Sequence, residues 1–102
     1  MIDCRMELKD NELNIRLKGH AGYGPEGSDI VCSAATTLCN TLSGYLADKP
    51  MQKCRLEKGD IEININLDKC PQGILEVINF VAVGFQVIAY SFPNYFDLKK
   101  NF

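Results

Sequence analysis

The sequence predicts an α+β fold in which a mixed, mostly antiparallel sheet packs with two helices, in the order ββαββαβ. Apolar and polar residues alternate over several short segments, which is the period of a half-buried strand. Two longer segments instead repeat apolar residues at the spacing of a helix. The chain has 102 residues, of which 46% are hydrophobic, and this suits a single domain spanning 1–102 with one core.

The first two strands are predicted by strict alternation. Residues 1–8 place every second side chain on an apolar face, and residues 9–12 turn the chain back. The second strand starts at Leu13, and His20 stands on its polar side. We therefore expect the imidazole to emerge at the end of this strand or in the following loop. The two apolar faces consist of Ile2, Cys4, Met6 and Leu8, and of Leu13, Ile15 and Leu17.

A loop and a helix are predicted next. Residues 22–28 contain three glycines and one proline, which is typical of a loop. Ser28 or Asp29 is a natural N-cap for the helix. We expect this helix from Ile30 to Ala47, with the Lys49-Pro50 pair ending it. Its apolar residues at helical spacing are Val31, Ala35, Leu38, Leu42 and either Tyr45 or Leu46.

The second half of the chain follows the same order of elements. Alternating residues predict strands over 52–56 and 61–67, joined by a tight turn at Gly59-Asp60. After a turn at 70–73, apolar residues at helical spacing predict a helix from Ile74 to about Ser91.

The second helix is apolar over most of its surface. Its polar residues Glu76, Asn79 and Gln86 form a narrow stripe with Val83 between them, which predicts a helix covered on most sides. The Pro93-Asn94 pair ends this helix, and residues 95–100 are predicted to form a last short strand.

Composition excludes several classes of function. The net charge is -2 and the basic residues are scattered, so no direct nucleic-acid partner is expected, because such proteins usually carry a basic stripe. The five cysteines form no CxxC pair and no tetrahedral set with the single histidine, so neither a metal nor another cofactor is expected.

Residues 77–96 carry no charge, but polar residues, glycine and proline interrupt them. They predict a buried helix and no membrane partner. An odd number of cysteines without a secretory leader predicts a cytoplasmic protein.

The residues that can carry chemistry lie in one short stretch, from Gly19 to Cys32. It holds the only histidine, His20, and places Cys32 in the first turn of the first helix. The helix dipole and free N–H groups at such a position stabilise a thiolate. The amides near Cys32 and Ser33 are candidate donors to the oxyanion of a tetrahedral intermediate. On residue type alone, burial as a small apolar side chain is the commoner state of a cysteine, and a lone histidine is usually a surface residue.

The same stretch resembles the ribosomal-processing cysteine proteases (Prp) of certain bacteria. Gly19-His20-Ala21 and Asp29-Ile30-Val31-Cys32 match the two motifs of that family, and small residues follow as Ser33-Ala34-Ala35-Thr36. The length and the order of elements are similar as well, so the resemblance spans essentially the whole chain.

This resemblance implies a cysteine endopeptidase that removes a short N-terminal extension from a large-subunit ribosomal protein, after a pair of aromatic residues. Cys32 is then the nucleophile, and His20 is the base that takes the thiol proton and later protonates the leaving amine. Asp29 has two expected roles, capping the helix or orienting His20, and one residue can serve both.

The alternative is a non-catalytic ribosome-associated module whose Gly-His-Ala loop binds a peptide without cleaving it. A thiol-redox enzyme is disfavoured, because no resolving cysteine lies at CxxC spacing. A homodimer is expected, partly from the resemblance and partly because a domain of this size has too little surface to cover so apolar a second helix.

The loop glycines Gly22, Gly24 and Gly27 match no phosphate-binding fingerprint. We interpret the loop as a mobile lid over a peptide-binding groove. The alternative is that it is only an irregular connection. Tyr23 and Pro25 are its bulky apolar groups, and one of them is expected to contact the aromatic residues of the substrate.

Overall fold

A five-stranded mixed sheet carries two α-helices on one of its faces in the computed structural model, which describes residues 1–46 and 52–102. The predicted order ββαββαβ is confirmed. The elements are β1 (Ile2–Lys9), β2 (Glu12–Lys18), α1 (Ile30–Tyr45), β3 (Gln52–Glu57), β4 (Asp60–Asn66), α2 (Ile74–Ser91) and β5 (Phe96–Lys100), with a 3₁₀ turn at Leu67–Lys69.

The sheet is built from two hairpins that join side by side. The strand order is β3-β4-β2-β1-β5, so β2 lies at the centre between β1 and β4. Only β5 runs parallel to its neighbour β1, and the other described pairs are antiparallel. The register places Leu17 opposite Cys4 on one side and Ile61 on the other. The end of β2 therefore meets the start of β4, which positions the site described below.

The hydrophobic core lies between the sheet and the two helices. Because strand side chains alternate between faces, the apolar side of β1, β2 and β4 points at the helices and the charged side faces solvent. Phe85 of α2 stacks on Phe96 of β5, with ring centroids 6.0 Å apart. The central buried side chains are Cys4, Met6, Leu13, Ile15, Val31, Leu42, Leu46, Ile63, Ile65, Ile78, Phe85 and Phe96.

The first helix ends earlier than predicted, at Tyr45. Of the two residues expected to share its last apolar position, Leu46 is fully buried and Tyr45 is exposed. The predicted end of the helix at Ala47 and the Lys49-Pro50 pair lie outside the described residues.

The second helix is covered on one face only within this chain. Ile78, Phe85 and their neighbours are buried, whereas Phe80 is 81% exposed and Tyr90 89% exposed. The prediction of a helix covered on most sides is therefore wrong for a single chain, because the sheet and α1 reach only one side of α2. Among the described helices, α2 is long and apolar enough to cross a membrane, but one-third of it is buried and core helices meet the same criteria.

Candidate active site

A cleft of about 560 Å³ lies where the end of β2, the following loop, the start of α1 and the β3–β4 turn meet. Both His20 and Cys32 line it. Its apolar wall includes Leu17, Ala35 and Ile61. The two residues that the sequence singles out for chemistry therefore share one cleft.

His20 lies in the loop just after β2, two residues beyond the last strand residue, Lys18. Its backbone is held from two sides. The amino group of Met1 donates to the His20 carbonyl oxygen at 2.7 Å, and the neighbouring Gly19 N–H donates to the Gly59 carbonyl oxygen at 3.0 Å. The His20 side chain itself is exposed to the cleft.

The imidazole packs against the β3–β4 turn. An ideal Cβ built on Gly59 would lie 2.7 Å from His20 Cε1 and 2.8 Å from Nε2, so only a glycine leaves room for the ring in this position. Gly59 also has a positive φ of 73°. The turn thus forms a wall beside the ring.

Cys32 is half-buried in the first turn of α1. The backbone N–H of Ala21 donates to its Sγ at an N···S distance of 3.4 Å. Because Ala21 follows His20 directly, this bond also links the backbone beside His20 to the side chain of Cys32.

Asp29 is the N-cap of α1 and the organiser of the loop. Its Oδ1 accepts from the amides of Val31 and Cys32 at 2.9 and 3.1 Å, and its Oδ2 accepts from those of Tyr23 and Gly24 at 2.9 and 3.0 Å. Burial disfavours the charged carboxylate, but the four N–H donors outweigh it and hold the pKa of Asp29 below its ordinary value. None of its hydrogen bonds reaches His20, so the structure shows the capping role.

The amides expected to form an oxyanion site are already engaged. The Cys32 N–H bonds to the Asp29 carboxylate, and the Ser33 N–H donates to the Asp29 carbonyl oxygen at 3.0 Å as a normal helical bond. Our expectation of free donors at these two residues is therefore wrong for this conformation. The cap and the oxyanion would compete for the same first-turn groups.

The loop residues divide into two groups. Gly22, Gly24 and Gly27 line the cleft, whereas Tyr23 and Pro25 do not line it. The Tyr23 ring instead packs edge-on against Phe92 and Tyr95, each at a centroid distance of 5.1 Å. The structure thus gives Tyr23 a role as an anchor of the loop.

Sequence reasoning missed the contribution of the β3–β4 turn. Lys58 lines the cleft and forms an ion pair with Glu26 of the loop. The hydrogen bond from Lys58 holds the pKa of Glu26 below its ordinary range, and the charge of Lys58 adds to this. Both side chains are mostly exposed, so the pair contributes little to stability. No local pattern signals this contact, because it depends on how β2 pairs with β4.

Within residues 1–46 and 52–102, no group of three or more His, Cys, Asp and Glu side chains could hold a metal ion.

The family model described as cysteine protease Prp matches residues 1–97. The chain is similar to SMU.848 from Streptococcus mutans, with 27% identity and a TM-score of 0.72 over 98% of this chain and 93% of that one. Among curated proteins, none matches this chain.

Two solved structures of the essential ribosomal processing protease Prp from S. aureus have the same fold. The one with a covalently linked product peptide has a TM-score of 0.79 at 19% identity, over 99% of this chain and 100% of that one. The one with a substrate peptide has a TM-score of 0.73 at 18% identity and the same coverage of both chains.

Alkylation should distinguish Cys32 from the other thiols. Burial raises the pKa of Cys39 to about 12 and also raises that of Cys4, so these two should stay unmodified in the folded protein. With iodoacetamide at neutral pH, Cys32 should react about tenfold or more faster than Cys54, although Cys54 is the more exposed thiol. Peptide mapping by mass spectrometry measures the order of labelling. Labelling of Cys39 or Cys54 first would contradict the assignment of Cys32 as the reactive thiol.

Proposed function

The chain belongs to the cysteine protease Prp family, and we propose that it uses Cys32 and His20 to remove a short N-terminal extension from a large-subunit ribosomal protein. The observation that carries this proposal is the single cleft that both side chains line, with the Ala21 amide on the sulfur. Because ribosomal proteins are made in the cytoplasm, we place the enzyme there.

The proposed reaction begins when His20 accepts the thiol proton and Cys32 Sγ attacks the carbonyl carbon of the scissile bond. The new C–S bond gives a tetrahedral intermediate with its negative charge on oxygen. This intermediate collapses as the C–N bond breaks, and His20 gives the proton to the leaving amine. Water then hydrolyses the thioester, with His20 again as the base, and restores the thiol.

The oxyanion needs a donor other than the amides of Cys32 and Ser33, because both already donate hydrogen bonds to Asp29. The Ala21 N–H, 3.4 Å from Sγ, is our candidate. When the sulfur forms its bond to the carbonyl carbon it loses its negative charge, and the N–H beside it becomes available to the oxyanion of the tetrahedral intermediate.

A peptide with bulky apolar side chains suits the cleft. Leu17, Ala35 and Ile61 supply apolar wall, and Thr36 and Thr37 supply hydroxyl groups along α1. The resemblance to ribosomal-processing proteases adds the expected cut after two aromatic residues. The S. aureus protein of the same fold carries a substrate peptide in one structure and a product peptide in another, which supports a peptide as the ligand here.

Removing either member of the dyad should stop cleavage of a synthetic extension peptide. Cys32→Ala should give no product, and Cys32→Ser should be nearly inactive, because a hydroxyl is a far poorer nucleophile than a thiol at neutral pH. His20→Ala should lower kcat by about 10²–10⁴-fold while binding of the peptide changes much less. Product formation followed by intact mass measures this, with Cys54→Ala as the control for loss of a thiol outside the cleft.

A His20→Ala enzyme that cleaves at nearly the wild-type rate would rule out the dyad. If the wild-type protein binds the peptide but leaves it intact, the chain acts as a binding module instead.

We also propose that the loop opens to admit substrate and closes over the cleft. Asp29 and the aromatic contacts of Tyr23 fix its first half, so the moving part is residues 25–28. The Glu26–Lys58 pair links this part to the opposite wall of the cleft and supports a closed resting state. An exposed ion pair is weak, so a peptide can displace it.

Hydrogen exchange of the Cys32→Ala variant should therefore show fast exchange at residues 26–28 without peptide and slow exchange with it. The amides of Tyr23 and Gly24 are internal references, because they are hydrogen-bonded to Asp29 and should be protected in both states. Equal protection of residues 26–28 with and without peptide would mean that the loop is only a connector.

A homodimer remains part of the proposal, and α2 is its expected contact. Phe80, Val83, Val87 and Tyr90 are exposed and follow one another at helical spacing, so they form an apolar stripe. A second copy covering this stripe would remove the apolar surface that one chain leaves in water.

Light scattering at micromolar concentration should give the mass of a dimer. Phe80→Glu should shift the protein to the monomer, because a charge at the centre of an apolar contact must be desolvated. Asn40→Glu, which adds the same charge at an exposed position of α1, should leave the mass unchanged. A wild-type monomer at this concentration would contradict the dimer.

A further inference from the structure

Among residues 1–46 and 52–102, no side chain forms a hydrogen bond that would orient the imidazole of His20 as a base. In cysteine and serine proteases a third group commonly holds the imidazole in the productive orientation. Here the His20 ring makes no hydrogen bond to any of the described residues, 1–46 and 52–102, and the carboxylate nearest in sequence to the thiol, Asp29, is occupied by four amides. The contact that the structure does give the ring is its packing against the β3–β4 turn.

We infer that Gly59 is a positioning residue for His20, an inference that rests on the proposed dyad. Two contacts come from this one residue. Its carbonyl oxygen accepts the Gly19 N–H at 3.0 Å and so fixes the backbone just before the histidine. Its Cα faces the ring so closely that an added Cβ would lie 2.7 Å from Cε1.

A side chain at position 59 must displace the imidazole ring of His20 rather than the backbone. Contacts under 3.0 Å essentially never occur for a real Cβ, and the atoms in the way belong to the far end of a rotatable side chain. His20 can relieve the overlap by turning about its side-chain torsions, which changes where its ring nitrogens lie in the cleft that it shares with Cys32. Substitution at Gly59 should therefore affect proton transfer more than stability.

The test compares Gly59→Ala with Gly73→Ala. Gly73 also has a positive φ, 90°, but it lies at the N-terminus of α2, outside the cleft, with open space where a Cβ would go. The two variants should lose similar amounts of thermal stability, since both force alanine into a left-handed conformation. Only Gly59→Ala should lower kcat for the extension peptide, by about tenfold or more, with KM little changed.

Two readouts separate positioning from a structural defect. His20 is the only histidine, so its ring gives a single Cε1–H NMR signal, which should shift in Gly59→Ala and not in Gly73→Ala. The pH midpoint of Cys32 alkylation should move in the same variant. Gly59→Asn should repeat the kinetic defect with a smaller loss of stability, because asparagine tolerates a positive φ but keeps the Cβ.

Adding Gly59→Ala to His20→Ala completes the test. If Gly59 acts through the imidazole, the double variant should be no slower than His20→Ala alone. A full additional loss in the double variant, or a Gly59→Ala enzyme as active as Gly73→Ala, would overturn the inference. Failure of the dyad itself gives a different result, namely a His20→Ala enzyme of nearly wild-type rate, while the NMR signal still reports whether Gly59 positions the ring.

Discussion

Four backbone N–H groups that converge on one carboxylate set the geometry of the site. Asp29 joins the start of α1 to the first half of the loop, so the position of Cys32 and the path of the chain after His20 are fixed by the same side chain. The pKa of Asp29 is lowered in the fold. Its contribution to stability is therefore present above the ordinary pKa range of a carboxyl and is lost as the pH falls through the lowered value.

The second constraint is the pairing of β2 with β4. It places Lys18 opposite Asp60, and their side chains form an ion pair at 3.2 Å. The turn just before Asp60 is thereby brought against the loop just after Lys18. Residues about forty positions apart in the chain come to face each other across the cleft only because these two strands are neighbours. The proposed dyad of His20 and Cys32 comes from one short segment, but the β3–β4 turn beside it belongs to another hairpin.

Much of this arrangement can be predicted from the sequence, because it depends on local patterns. Alternation identifies the buried faces of β1, β2 and β4, and a cysteine three residues after a capping aspartate belongs in a first helical turn. The roles of Lys58 and Gly59 cannot be predicted in this way, since strand order is not encoded in any one segment. Nor does periodicity tell which side of an almost wholly apolar helix meets the core, so the exposure of Phe80 is unexpected. The prediction of oxyanion donors in the first turn of α1 is wrong for a different reason. Amides that already donate hydrogen bonds to the N-cap residue cannot donate to an anion at the same time.

The anchor of Tyr23 has a consequence for how far the protein can be divided. Every residue of the proposed chemistry lies within the first half of the chain, which suggests a small catalytic module followed by dispensable structure. Yet the ring that anchors the loop rests on Phe92 and Tyr95, which join the end of α2 to β5. Strand β1 in turn pairs with β5. A fragment ending after β4 would keep His20 and Cys32 but lose the aromatic contacts that anchor the loop, one edge strand of the sheet and the core residues of α2 and β5. The structure that supports the cleft therefore extends from β1 to β5.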